Sequence, residues 1–422
     1  MSFNPFNEKP IDHEKLLMSW SDMSQQPYNK HEVDPYTRVR CILMNGTEFE
    51  AMWCKHHFNR RFDDVDAKRA VALLRRSEQE QQKLISSLKP CDENLLETTI
   101  GYEQLAVDLT AFMAQRENDL EVKEALDFAL LEDFDHLYRY ANLLESDMGA
   151  RAEKYVGGYT EIMPARPTIA HHRHPYDNIR PHIDSKKADL TTKLDVQIIT
   201  AAEQQTMNYY MNLGSFYHNI KGRELYTEIA MVEEDHVTHY GSLIDPNCTP
   251  LENMLMHEYT ECYLYYSMYL DETDGRIKGI WERLLEQEIA HLHIASNMLE
   301  KYDNKSYEEI IPDKSVPETI RFKSNKDYIR DVLAKTVNIT TRQGGYVNVS
   351  ELDENADFYK YQRATNKDER NVRSHTVIVD HIDKFGVDYR VEDKENPLEE
   401  LRSRTSDNTE LGRTPIAVGK KN

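Results

Sequence analysis

The sequence predicts a mainly α protein: two tandem four-helix bundles, a long linker between them, and a small mixed or extended C-terminal appendage. Three observations carry this. Apolar residues recur in steps of three and four over about 39–146 and again over about 196–302. Each stretch is broken three times, which leaves room for four helices. The two stretches are also alike. Residues 69–145 set on 224–300, at a constant shift of 155 positions, share seventeen identities without a gap, where composition alone gives roughly five.

Residues 1–38 are polar and carry four prolines, so they read as an extended N-terminal arm. In 39–146 the helical pattern breaks near Asn59–Arg61, Lys89–Asp92 and Asn118–Leu120. Residues 147–195, with YVGGYTEIMPARPTIAHHRHPYDNIRPH at their centre, read as the linker. Periodicity returns over 196–302, with breaks near Lys221–Gly222, Asp245–Pro250 and Asp274–Gly275. Beyond it, 303–422 holds short β-branched runs (TVNITT, GYVNVS, HTVIVD) among charged stretches and ends in a polar tail.

A chain of 422 residues buries a sizeable core. Its formal net charge of -22 disfavours nucleic acid and anionic membrane surfaces as partners. No run of 18 apolar residues and no basic-then-apolar start is present, so the expectation is a soluble, cytoplasmic protein. The five cysteines, Cys41, Cys54, Cys91, Cys248 and Cys262, form no C-x-x-C pair, which excludes a rubredoxin-type or zinc-ribbon module.

The chemistry sits on helix seams. Ile277, Trp281, Leu284, Glu288, His291, Ala295 and Met298 follow one apolar stripe, and Glu288 and His291 interrupt it where apolar residues belong. Glu233 and His236 do the same among Tyr226, Ile229, Tyr240 and Leu243. Glu258 lies on the stripe of Leu251, Leu255, Cys262, Tyr265 and Tyr269, and Glu203 on that of Val196, Met207, Tyr210 and Tyr217. Four buried carboxylates repel one another and lose hydration, whereas two divalent cations supply the matching charge. Two lone glutamates and two Glu-x-x-His pairs are therefore expected to hold two metal ions. One ion takes Glu203 and His236, the other Glu258 and His291, and Glu233 and Glu288 bridge. Oxygen-rich donors with one imidazole per ion suit iron, with manganese as the alternative. Tyr210 and Tyr265, two turns from Glu203 and Glu258, are candidates to act in catalysis by hydrogen bonding to ligand carboxylates, or are aromatic packing residues.

The N-terminal copy places Glu48, Glu78, Glu103 and Asp133 on Glu203, Glu233, Glu258 and Glu288. It has Gln81 where a histidine is expected, and Lys55 and Thr110 for the tyrosines, so it reads as a degenerate bundle. The cluster His171, His172, His174 and His182 lies in the linker with no helical register to aim its rings, and reads as linker. His56 and His57 read as a helix end.

His257-Glu258-Tyr259-Thr260-Glu261, with Glu233-Glu234-Asp235-His236 and Glu288-Ile289-Ala290-His291, resembles the rubrerythrin branch of the ferritin-like superfamily over about 105 residues, 196–302. The resemblance implies ferritin-like bundles and a di-iron site that reduces hydrogen peroxide or dioxygen. It makes Glu261 a further metal ligand that exchanges with His236 as the metal changes oxidation state. The chain departs from that family in three ways: it has no cysteines for a rubredoxin-like iron; only 25 residues separate Glu233 from Glu258, which favours a simple hairpin order; and its N-terminal copy has Gln81 for a histidine, Asp133 for a glutamate, and Lys55 and Thr110 for the tyrosines. The expected function is thus a rubrerythrin-like peroxidase fed by an external electron donor, with room for a homo-oligomer. Alternatives are a di-manganese catalase, a di-iron oxidase or oxygenase, and a structural protein that retains a metal site.

Overall fold

The computed structural model describes residues 3–312, 315–366, 372–403 and 405–408. Among them are twelve α-helices: α1 (Pro35–Asn59), α2 (Val65–Ser87), α3 (Leu95–Arg116), α4 (Leu120–Met148), the single turn α5 (Glu153–Val156), α6 (Leu190–Leu213), α7 (Ile220–Gly241), α8 (Pro250–Asp271), α9 (Gly275–Asp303), α10 (Lys326–Thr336), α11 (Asp357–Thr365) and α12 (Thr376–Phe385). One antiparallel hairpin, β1 (Ile339–Arg342) with β2 (Gly345–Asn348), completes the set, so the protein is mainly α.

The repeat is kept helix by helix. The starts of α6, α7, α8 and α9 each lie 155 positions after those of α1, α2, α3 and α4. The caps recur as well. Asp34 and Asp189 accept from backbone N–H groups at the first turns of α1 and α6. Asn94 with Glu97, and Thr249 with Glu252, close reciprocal capping boxes on α3 and α8, and Asp119 and Asp274 cap α4 and α9. Both long helices end on a left-handed residue, Gly149 after α4 and Asn304 after α9, the latter tolerated because a short amide side chain suits that conformation.

The helices divide into two compact units that interleave along the chain. The first comprises Met1–Glu93, Ile183–Gln205 and Ile244–Phe322; the second comprises Asn94–His182, Thr206–Leu243 and Lys323–Asn422. This corrects the consecutive division into 39–146 and 196–302. In the first unit α1 packs on α2 and α8, and α9 packs on α8 and α2, a ring of four helices drawn half from each copy. In the second unit α3 packs on α4 and α4 on α7, with α10 and α12 laid against α4. The physical reason is that each hairpin buries only one side of its seam. A hairpin of either copy completes the core, because the apolar stripes are equivalent. The simple hairpin order of α6 to α9 is overturned with it, since α7 and α8 serve different cores.

The segments read as extensions also pack. The N-terminal arm carries two short 3-10 turns, buries Leu16, and gives the Met18 N–H to Glu80 Oε2 at 2.6 Å, all within the first unit. Residues read as linker bury Arg166 and Arg173 in the second unit. Of the three β-branched runs, the first two form the hairpin, but Thr376–Asp380 lie in α12, where Val377, Ile378 and His381 share one buried face. No helix of the described residues is long and apolar enough to cross a membrane.

Candidate metal centres

In the second unit, α3, α4 and α7 turn Glu103, Asp133, His136, Glu233 and His236 into one buried cluster, every one of them fully buried. Atoms of Glu103, Asp133, His136 and Glu233 lie within 4.8 Å of one another, the spacing of groups able to share an ion. Glu233 spans the two imidazoles: its Oε1 is 3.0 Å from Nδ1 of His136, and its Oε2 is 3.3 Å from Nδ1 of His236. Asp133 Oδ1 is 3.4 Å from His236 Nδ1. Tyr210 donates its hydroxyl hydrogen bond to Glu103.

A supporting layer aims these groups. His236 Nε2 meets Glu132 Oε2 at 2.7 Å, and Arg173 grips both Glu132 oxygens at 2.7 and 2.9 Å. Burial works against ionisation of Glu132, but Arg173, His171 and His236 outweigh it and hold the carboxyl well below its usual range. His136 is pushed well below the ordinary imidazole value by burial, with Arg139 adding to it, so its ring is neutral, the form that ligates metal. Its Nε2 has no hydrogen-bond partner among the described residues. Burial also keeps Tyr210 protonated, hence a donor to Glu103.

The first unit assembles the counterpart from α1, α2, α8 and α9. Glu48, Glu78, Gln81, Glu258, Glu261, Glu288 and His291 are all fully buried. Tyr265 donates to Glu48, Gln81 Nε2 donates to Glu288 at 2.6 Å, and His291 Nδ1 lies 3.2 Å from Glu288. Lys55 bonds Glu78, and its Nζ lies 2.8 Å from Glu258 and 3.9 Å from Glu261. Burial opposes the Lys55 charge, yet Glu258, Glu78 and Glu261 together hold the ammonium well above its ordinary value. Burial raises the Glu48, Glu78 and Glu261 carboxyls, and for Glu48 the nearby Glu288 adds to it. Glu288 is held low despite burial, because His291 pairs with it.

The seven expected ligands are thus divided. Glu233 and His236 belong to the second unit, and Glu258, Glu261, Glu288 and His291 to the first. Glu203 lies on α6 two residues before the first unit's share of that helix ends; Tyr210, two turns on and on the same face, lies in the second unit's share. The exchange of Glu261 with His236 implied by the resemblance is not supported, because Glu261 pairs with Lys55 and His236 with Glu132. Both tyrosines hydrogen-bond carboxylates of their clusters, as one of their two readings required.

Sequence reasoning passed over His136 and Glu132. The signal for His136 was present: it is identical with His291 at the 155 shift, and Asp133-x-x-His136 repeats the pair spacing. Glu132 had none, since its role depends on a ring from another helix. In the first unit Gln81 and Gln287 stand where the second has His236 and Glu132, a change of both partners together. Of the linker histidines, His171 bonds the Arg166 carbonyl, His172 pairs with Glu228, and His174 accepts from Tyr176 N–H. None of them, nor His182, joins a metal-type cluster among the described residues. His56 and His57 lie in the last turn of α1. Comparison of the chain with protein-family models, curated proteins and solved structures gives no match.

Proposed function

We propose that the second unit carries a carboxylate-bridged two-metal centre, of iron or manganese, and that the protein is an oxidoreductase acting on hydrogen peroxide or dioxygen. The observation that carries this is Glu233, whose two oxygens face two different imidazole Nδ1 atoms at 3.0 and 3.3 Å. A carboxylate spread between two imidazoles is the donor arrangement of a pair of ions rather than of one. The donor set fits: carboxylate oxygens and neutral imidazole suit iron and manganese, and a structural zinc site would use thiolates. When bound, such a pair supplies two redox equivalents to an O–O bond.

The chain's own residues do the rest. Glu103, Asp133 and Glu233 balance the ion charge, and His136 and His236 each offer Nδ1. Glu132 with Arg173 fixes the tautomer and orientation of His236. Tyr210 holds a proton beside Glu103, where water formation consumes protons. Glu203 keeps its candidate ligand role as part of this proposal. The ferritin-like assignment of both bundles is part of the same proposal, supported by the ring of four helices in the first unit.

A second reading is a di-manganese catalase. It is favoured by the five free cysteines, none in a C-x-x-C pair, which offer no internal electron relay. Elemental analysis of the purified protein, followed by peroxide with and without a reductant, separates the two. Reductant-dependent consumption supports the peroxidase, and oxygen release without reductant supports the catalase. A second unit that takes up no metal after reconstitution sinks both.

A further inference from the structure

We infer that the first unit is a separate metal site that holds one divalent cation, with the Lys55 ammonium standing in the place of a second. Lys55 lies on α1 at the register that Tyr210 occupies on α6. Where the tyrosine hydroxyl donates to Glu103, the lysine brings a full positive charge to Glu78, Glu258 and Glu261. Glu258 is the repeat partner of Glu103, and Glu78 is that of Glu233, so these are carboxylates that an ion pair would share. An ammonium bonded to both repels a dication brought to the same oxygens. Glu261, which replaces Ala106 of the other copy, supplies the lysine with a third acidic neighbour.

The remainder of the cluster offers further donors to a cation. Glu48 Oε2, Glu78 Oε2 and Gln81 Oε1 are buried oxygens with no hydrogen-bond partner among the described residues. His291 points Nδ1 at Glu288, 3.2 Å away, and its Nε2 is likewise without a partner among them. Atoms of Glu78, Glu258 and His291 lie within 4.8 Å of one another, a donor set for a single hard or borderline ion, and the amide of Gln81 in place of an imidazole makes the site harder than the second unit's. The two units would then differ in capacity, two ions in one and one in the other.

The test counts ions in the full chain. A His136→Ala/His236→Ala variant, stripped with chelator, is loaded with Mn2+, desalted and analysed for metal, with far-UV circular dichroism to confirm folding. One manganese per chain is expected. Adding Lys55→Met should raise the count to two, and adding His291→Ala should lower it to none. Two ions with Lys55 intact, no ion at all, or an unchanged count in Lys55→Met overturns the inference. If Lys55→Met does not fold, Lys55→Gln takes its place in the same comparison. Because the second unit is disabled throughout, these counts do not depend on its function.

Discussion

His236 and Glu132 are joined at 2.7 Å, and Glu132 is in turn gripped by Arg173 at 2.7 Å, so a buried imidazole is aimed by a buried ion pair. Such a partner fixes which ring nitrogen carries the proton and turns Nδ1 toward Glu233 and Asp133. Glu132→Gln keeps the shape and removes the charge. It should weaken metal binding to the second unit by about 10- to 100-fold, read by calorimetric titration with Mn2+. An affinity unchanged from the parent protein would show that His236 needs no such support.

Glu233 faces both imidazoles, and its loss should be felt by both ions rather than by one. Glu233→Ala should reduce the second unit's metal content by two ions per chain, and peroxide consumption should fall to background. His136→Ala should abolish activity as well, while an ion retained at His236 would mark the two positions as separable. Elemental analysis beside the peroxide assay checks both.

Tyr210 donates to Glu103 inside the cluster and burial keeps it protonated. Tyr210→Phe removes the hydroxyl with little change of volume. Metal content should stay as in the parent, and the rate of peroxide reduction should fall by about 10^2 if the hydroxyl supplies a proton. A Phe variant with full activity would leave Tyr210 as a packing residue.

Gly222 opens α7 against the ring of Tyr217, and a Cβ there would overlap the ring carbon Cδ1. Alanine improves helix propensity by about 1 kcal/mol, but overpacking against a rigid ring costs about 1–3 kcal/mol. Since that contact is far inside van der Waals distance, the clash should win. Gly222→Ala should lower the urea midpoint, and a midpoint at or above the parent's would show that Tyr217 moves aside freely.

Glu228 is half-buried, which opposes its charge, but His172 at 3.0 Å and Arg139 at 3.3 Å bring its carboxyl from the ordinary 4.5 down to about 2. A depressed carboxyl contributes stability that is present above pH 4.5 and lost as pH falls toward 2. The size is about 3 kcal/mol for such a shift. Denaturant unfolding of the parent between pH 5 and pH 2.5 should show that loss, and Glu228→Gln should flatten it. An equally steep fall in Glu228→Gln would place the acid sensitivity elsewhere.

Much of this architecture is legible in the residues. The 155-position repeat, the helix breaks and the inward carboxylates all follow from local patterns, and α3, α4, α8 and α9 begin and end at repeat-related positions. The helices of the N-terminal copy divide between the two units. Gln81 and Lys55 lie in the first unit with Glu258 and His291, whereas His136 and Asp133 lie in the second with Glu233 and His236. The C-terminal run HTVIVD misled for a different reason: β-branched residues favour strands only weakly, and one buried face was enough to make it helical.

The sequence by itself determined which residues each helix turns inward, since periodicity along one helix is a local property. Only the tertiary structure decided which inward faces meet. The two copies carry interchangeable apolar stripes, so nothing along the chain marks whether a hairpin closes on its own neighbour or on the equivalent hairpin of the other copy. That choice separates Glu233 from Glu258. It gives the second unit two imidazoles around one carboxylate, and it leaves the first with Lys55 among Glu78, Glu258 and Glu261.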